Sequence, residues 1–130
     1  MRNWTLLAGI AAGGALGAVA RYGITQVANA TWGTEFPFGT LLANVTGCFL
    51  LGVLGWASLL GQGLSPLWQA AISVGFLGAL TTFSTFGFET LVRWHDGARG
   101  LALANVLANL VAGLLAVWLG LSVARWLWSG

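Results

Sequence analysis

Apolar residues along this chain fall into four long blocks, divided by short polar or turn-forming stretches. The blocks cover about residues 4–28, 38–60, 67–92 and 101–126, with connectors at about 29–37, 61–66 and 93–100. Each block reaches the length of about 20 apolar residues that a helix needs to cross the hydrocarbon core of a bilayer. Backbone facing lipid without helical bonds would leave its N–H and C=O groups unsatisfied, so each block is predicted to be a helix. No stretch remains for a water-soluble domain. Residues 1–130 therefore read as one all-α integral membrane domain of four spans. Trp4, Trp32, Trp68, Trp94, Trp126 and Trp128 stand near the span ends, where an interfacial aromatic belt places them. Trp56 and Trp118 lie further in and are read as lipid-facing or packing residues.

Composition strengthens this reading. Hydrophobic residues make up 58% of the chain and charged residues only 6%, against about 25% charged in soluble domains. The charges are Arg2, Arg21, Arg93, Arg99 and Arg125 against Glu35, Glu89 and Asp96, with no lysine. A net charge of +2 spread so thinly forms no basic stripe of the kind nucleic acid requires. The single cysteine, Cys48, excludes an intrachain disulfide and is read as a small packing residue. A signal peptide also begins with a positive charge and an apolar run, but here the run continues past Ala20 without a cleavage signature, so it is kept as a span.

Small residues recur at helical spacing: Gly9, Gly13 and Gly17 in the first span, Ala43 and Gly47 in the second. Such spacing lets helices approach closely in lipid, either within one subunit or between two. Arginines are divided almost evenly between the two ends of the bundle: Arg2 and Arg125 at one, Arg93, Arg99 and Arg21 towards the other. The positive-inside rule needs an excess to fix orientation. The expectation is insertion both ways round and pairing as an antiparallel, dual-topology homodimer.

The third block carries the least ordinary chemistry. Gly75-Phe76-Leu77-Gly78-Ala79-Leu80-Thr81-Thr82-Phe83-Ser84-Thr85-Phe86 sets two glycines before four hydroxyl residues. Glycine weakens a helix by about 1 kcal/mol, and hydroxyls can satisfy carbonyls released by a break. Either the helix breaks near its middle and exposes carbonyls able to hold a cation, or it continues with its hydroxyls bonded back to the preceding turn. Phe83 and Phe86 share a helix face; their positive ring edges suit an anion, and packing is the alternative. Asn44, and the pair Asn105 and Asn109, either bridge helices or offer an amide to a solute. Arg21 either reaches for headgroups or gathers anions at a vestibule, and Glu89 is expected to pair with an arginine. His95 and Asp96 belong to a solvated connector. No nucleophile with its base, phosphate loop or metal-ligand cluster is apparent, and an enzyme is not expected.

These residues resemble the Fluc fluoride channel family, also called CrcB, over essentially the whole chain. The similarity rests on Gly17-Ala18 to Arg21-Tyr22, on Gly39-Thr40-Leu41 to Asn44 to Gly47, and most specifically on Gly75 to Phe86. It implies an antiparallel homodimer with two pores, in the plasma or inner membrane of a prokaryotic cell, that passively exports toxic fluoride. By that resemblance Phe83 and Phe86 line the pores and Asn44 donates to fluoride. Main-chain oxygens of Gly78 and Thr81 from both subunits hold a structural sodium ion. Thr82, Ser84 and Thr85 belong to the same motif. The chain departs from the family in the fourth span, where Val106, Leu110 and Leu114 stand at places where some relatives carry tyrosine and serine. Asn109 is the nearest polar substitute. Two other classes share four short spans: a proton-coupled drug exporter, which needs a mid-membrane carboxylate that the first span lacks, and a non-transporting assembly subunit, which leaves the Phe and Thr cluster unused.

Overall fold

The computed structural model describes residues 4–128; Arg2, assigned above to the N-terminal end, lies outside them. The described chain is helical, with α1 at Trp4–Trp32, α2 at Phe38–Leu59, a composite third span at Pro66–His95, and α6 at Arg99–Trp128. All four are long and apolar enough to cross a membrane. The first span runs four residues beyond the predicted Ala28, because Thr31 bonds back to the Val27 carbonyl at 2.8 Å and keeps this polar end helical. Arg21 consequently lies about three turns inside α1 rather than at its end.

The third span changes character along its length. It opens with α3 (Pro66–Gln69), with Pro66 in the first turn, where a missing N–H costs nothing. It widens into a π-helical stretch, Ala70–Leu77, closes with the short α4 (Gly78–Leu80), and restarts as α5 (Phe83–His95). Thr81 and Thr82 between α4 and α5 are extended, with φ/ψ of −82°/151° and −152°/117°. Of the two readings left open for Gly75 to Phe86 the structure takes the break, which falls near the middle of the span, after Leu80. Gly75 is occupied otherwise: a Cβ there would meet the Ile10 carbonyl and the Gly14 N–H of α1.

Close backbone approach explains the small-residue spacing. Gly13 faces the Ala71 carbonyl and Gly17 the Phe76 carbonyl, so α1 lies directly on the π-helical stretch within one subunit. On the other side of the bundle Gly52 of α2 and Gly120 of α6 abut each other's backbones, in the most extensive pairing of the fold. In lipid such contacts supply van der Waals packing in place of a hydrophobic driving force. The buried core is correspondingly thin: Ala43, Leu77 and Leu80, flanked by Ala20, Ile24, Leu50, Leu54, Ile72 and Phe76. Of the two inner tryptophans, Trp118 is exposed and Trp56 is partly buried under the Arg125 guanidinium, 5.3 Å from its ring centroid.

Arg93, in the last turn of α5, fastens the first connector. Its Nε donates to the Glu35 carbonyl at 2.8 Å, one terminal nitrogen to Thr34 at 3.1 Å and the other to the Glu89 carbonyl at 3.0 Å. A cation at a helix C-terminus is also favoured by the helix dipole.

Candidate functional site

The break is held from outside the third span. In a continuous helix the Thr82 N–H would bond the Gly78 carbonyl; here it donates to Asn44 Oδ1 of α2 at 2.8 Å. Asn44 Nδ2 reaches the Thr82 carbonyl at 3.3 Å and Asn109 Oδ1 of α6 at 2.9 Å. One amide side chain thus replaces the backbone partners lost at the break, as the absence of water in lipid demands. Gly47, one turn along α2 from Asn44, leaves room for the Thr81 side chain, which a Cβ would strike.

Polar bonding continues along α6. Asn109 Nδ2 donates to the Asn105 carbonyl and Oδ1, and Asn105 Nδ2 to Thr90 Oγ1 at 2.8 Å. Asn105 is wholly buried, so these bonds satisfy an amide that would otherwise be costly. At the head of α5, Thr82 Oγ1 accepts from the Thr85 N–H at 3.2 Å, donates to Thr85 Oγ1 at 3.0 Å, and lies 3.3 Å from Ser84 Oγ. This hydroxyl cap starts the new helix.

A groove of about 350 Å³ opens beside the break. It brings together Asn44, Asn109, Phe83 and Phe86 with Gly78, Thr81 and Thr82. The two phenyl rings are 5.5 Å apart at 56° to each other. Phe83 is 83% exposed on the open side. Arg21, Ser84, Thr85 and Glu89 are not on the groove wall. Glu89 was expected to pair with an arginine. Its Oε1 instead accepts from Thr40 Oγ1 at 2.9 Å, while Arg93 turns to backbone carbonyls. Glu89 Oε2 is buried without a partner. Thr40 and Thr90 were not singled out from sequence; each is defined by a partner in another span, which no local pattern marks.

Opposed partial charges meet at the break. The C-terminal carbonyls of α4 give it a negative end, and the N–H groups opening α5, of which that of Thr85 is capped by Thr82, a positive one. Hard carbonyl oxygens suit a hard cation; N–H groups at a helix start suit an anion.

Four helices long enough to span, one of them broken beside a largely apolar groove that holds a few polar groups, define a small multi-pass membrane protein of the transport class. Residues 8–121 match the family model described as CrcB-like protein, Camphor Resistance (CrcB), and the chain belongs to that family. It is similar to the fluoride-specific ion channel FluC of Acidobacterium capsulatum, at 48% identity over 116 residues covering 89% of this chain and 93% of that protein. The protein of the same name from Shewanella amazonensis is 52% identical over 111 residues, covering 85% of this chain and 89% of its own. That of Citrifermentans bemidjiense is 46% identical over 112 residues, covering 86% and 90%.

Proposed function

We propose that this chain is a fluoride-selective channel that lets fluoride leave the cell down its electrochemical gradient, lowering its cytoplasmic concentration and toxicity. The observation that carries this reading is the broken third span, whose start of α5 and two phenyl rings border a groove open at mid-membrane. Membership of the family and the names of its relatives support the choice of ion. The reading places the chain as a multi-pass protein in a prokaryotic plasma membrane.

Energetics dictate how such a path must work. Moving a carboxylate-sized ion into a low-dielectric interior has an idealised cost on the order of 20 kcal/mol, and fluoride is smaller. One hydrogen bond to a charged group offsets only about 1.5–3 kcal/mol. Passage therefore needs successive donors and residual water, with no site binding too tightly. Asn44, Asn109 and Thr82 provide polar groups on the groove wall, with Ser84 and Thr85 behind them in the hydroxyl cap of α5, and ring edges of Phe83 and Phe86 provide weak positive potential. Arg21 and Glu89 stand apart from the groove as vestibule residues on this reading.

An antiparallel dual-topology homodimer completes the site. The groove is open on the side where Phe83 and Gly78 are exposed, and a second, inverted copy there closes it. The main-chain oxygens of Gly78 and Thr81 fit a structural sodium ion: Gly78 has lost its helical donor to Asn44, and Thr81 is extended beyond the end of α4. Two copies together present four such oxygens. Sodium there would supply fixed positive charge between the subunits.

Purified protein in liposomes is expected to release fluoride faster than protein-free vesicles, with chloride retained. Equal release of chloride would remove the selectivity, and drug-dependent proton movement without fluoride release would select an exporter instead. Cysteines placed in the 93–100 connector should be labelled from both faces of the membrane; labelling of every copy from one face would exclude dual topology. Purified dimer should retain radioactive sodium through gel filtration, and retention no better than that of potassium would remove the sodium assignment.

A further inference from the structure

We infer that the ion path continues from the groove past the Ser73 hydroxyl to a mouth formed by Gln69 and Ser58, at the end of the bundle where α2 finishes and the third span begins. The inference rests on the pore reading above and extends it to residues outside the family motif. A second cavity, of about 140 Å³, shares Ser73 and Leu51 with the groove and reaches Gln69 and Ser58 at its other end. It has the volume of about four water molecules at about 30 Å³ each, enough for a partly hydrated ion. Gln69 Nε2 and Ser58 Oγ meet across it at 3.3 Å, and both residues are near the membrane interface, where water can reach them.

Ser73 differs from five other hydroxyls in the spans. Thr25, Thr31, Thr81, Thr90 and Ser122 each donate to the carbonyl four residues back, the usual way a helix quiets a hydroxyl in lipid. The Ser73 hydroxyl makes no hydrogen bond among the described residues. It lies in the π-helical stretch, whose wider turn moves the carbonyl four residues back away from the side chain. The same stretch is held against α1 at Gly13 and Gly17, so the geometry is built into the fold. The hydroxyl is left free on a wall common to both cavities.

The opposite wall needs this donor. Leu110 of α6 lines the groove, and Val106 and Leu114 add no polar group. Beyond Asn109 this face of α6 offers no polar group, so an anion leaving Asn44 and the phenyl rings towards this end finds no further donor on it. Ser73 and Gln69, about one helical turn apart on the third span, with Ser58 of α2 facing Gln69, supply successive polar rungs, the stepwise arrangement that conduction requires.

Fluoride current in planar bilayers and efflux from liposomes test this. Ser73→Ala is expected to lower the rate about fivefold, the factor that about 1 kcal/mol of lost hydrogen bonding at a barrier sets. Ser73→Thr, which restores a hydroxyl, should remain within about twofold of the parent on the same scale. At the exposed mouth, Gln69→Lys should raise and Gln69→Glu lower the current at low ionic strength, with the difference collapsing in high salt as screening shortens the field. A purely structural role gives no such opposed signs. Phe83→Ile is the reference: loss of current there together with parental rates in Ser73→Ala and in both Gln69 variants overturns this path alone. Parental current in Phe83→Ile overturns the pore reading itself.

Discussion

Replacing Phe83 by isoleucine is expected to cut fluoride efflux at least about tenfold, the factor set by about 1.4 kcal/mol at the barrier. Isoleucine keeps an apolar side chain of helical habit at an exposed position, so the fold loses little. What disappears is the aromatic quadrupole. The Phe83 and Phe86 rings are tilted at 56° with centroids 5.5 Å apart, so ring edges as well as faces are available on the groove wall. An edge attracts an anion without the desolvation penalty or tight binding of a charged donor. Phe86→Ile removes the second ring and should act similarly, while neither variant should change the elution volume of the purified protein. Parental efflux in both variants would take the rings out of the conduction path.

The four spans were legible because bilayer thickness imposes a long apolar run on each, and because tryptophans mark their ends. The break was only half legible: Gly78 and the hydroxyls of Thr81 to Thr85 allow either a break or a continuous helix with its hydroxyls bonded back, and the family resemblance tips the choice. The position of the break was set by something local sequence does not carry. Asn44, 38 residues before Thr82, captures the Thr82 N–H and so decides that the helix stops after Leu80. Likewise the π-helical stretch follows from contact with Gly13 and Gly17 of α1; Ala70–Leu77 by itself is an unexceptional apolar run. Glu89 reads as an ion-pair partner in one dimension, whereas packing of α5 beside α2 gives its carboxylate the Thr40 hydroxyl. Each miss concerns a partner chosen by helix packing and not a residue type.

Asn44→Ala is expected to lower both the stability of the fold in detergent and fluoride efflux, because this one side chain does two jobs at the break. Truncation removes the acceptor of the Thr82 N–H and the donors to the Thr82 carbonyl and to Asn109. Hydrogen bonds between membrane helices average about 0.6 kcal/mol, and a buried donor left unsatisfied adds about 1–3 kcal/mol. The summed loss is about 3–5 kcal/mol, enough to lower the thermal midpoint measurably. Asn44→Asp separates the two jobs. It keeps an oxygen for the Thr82 N–H, so thermal stability should recover part of the loss, but it deletes the Nδ2 donors and sets negative charge on the groove wall. Fluoride efflux should then fall to the protein-free level despite a better-held break. Parental efflux in Asn44→Asp would mean that this amide only holds the helix end and never meets the ion.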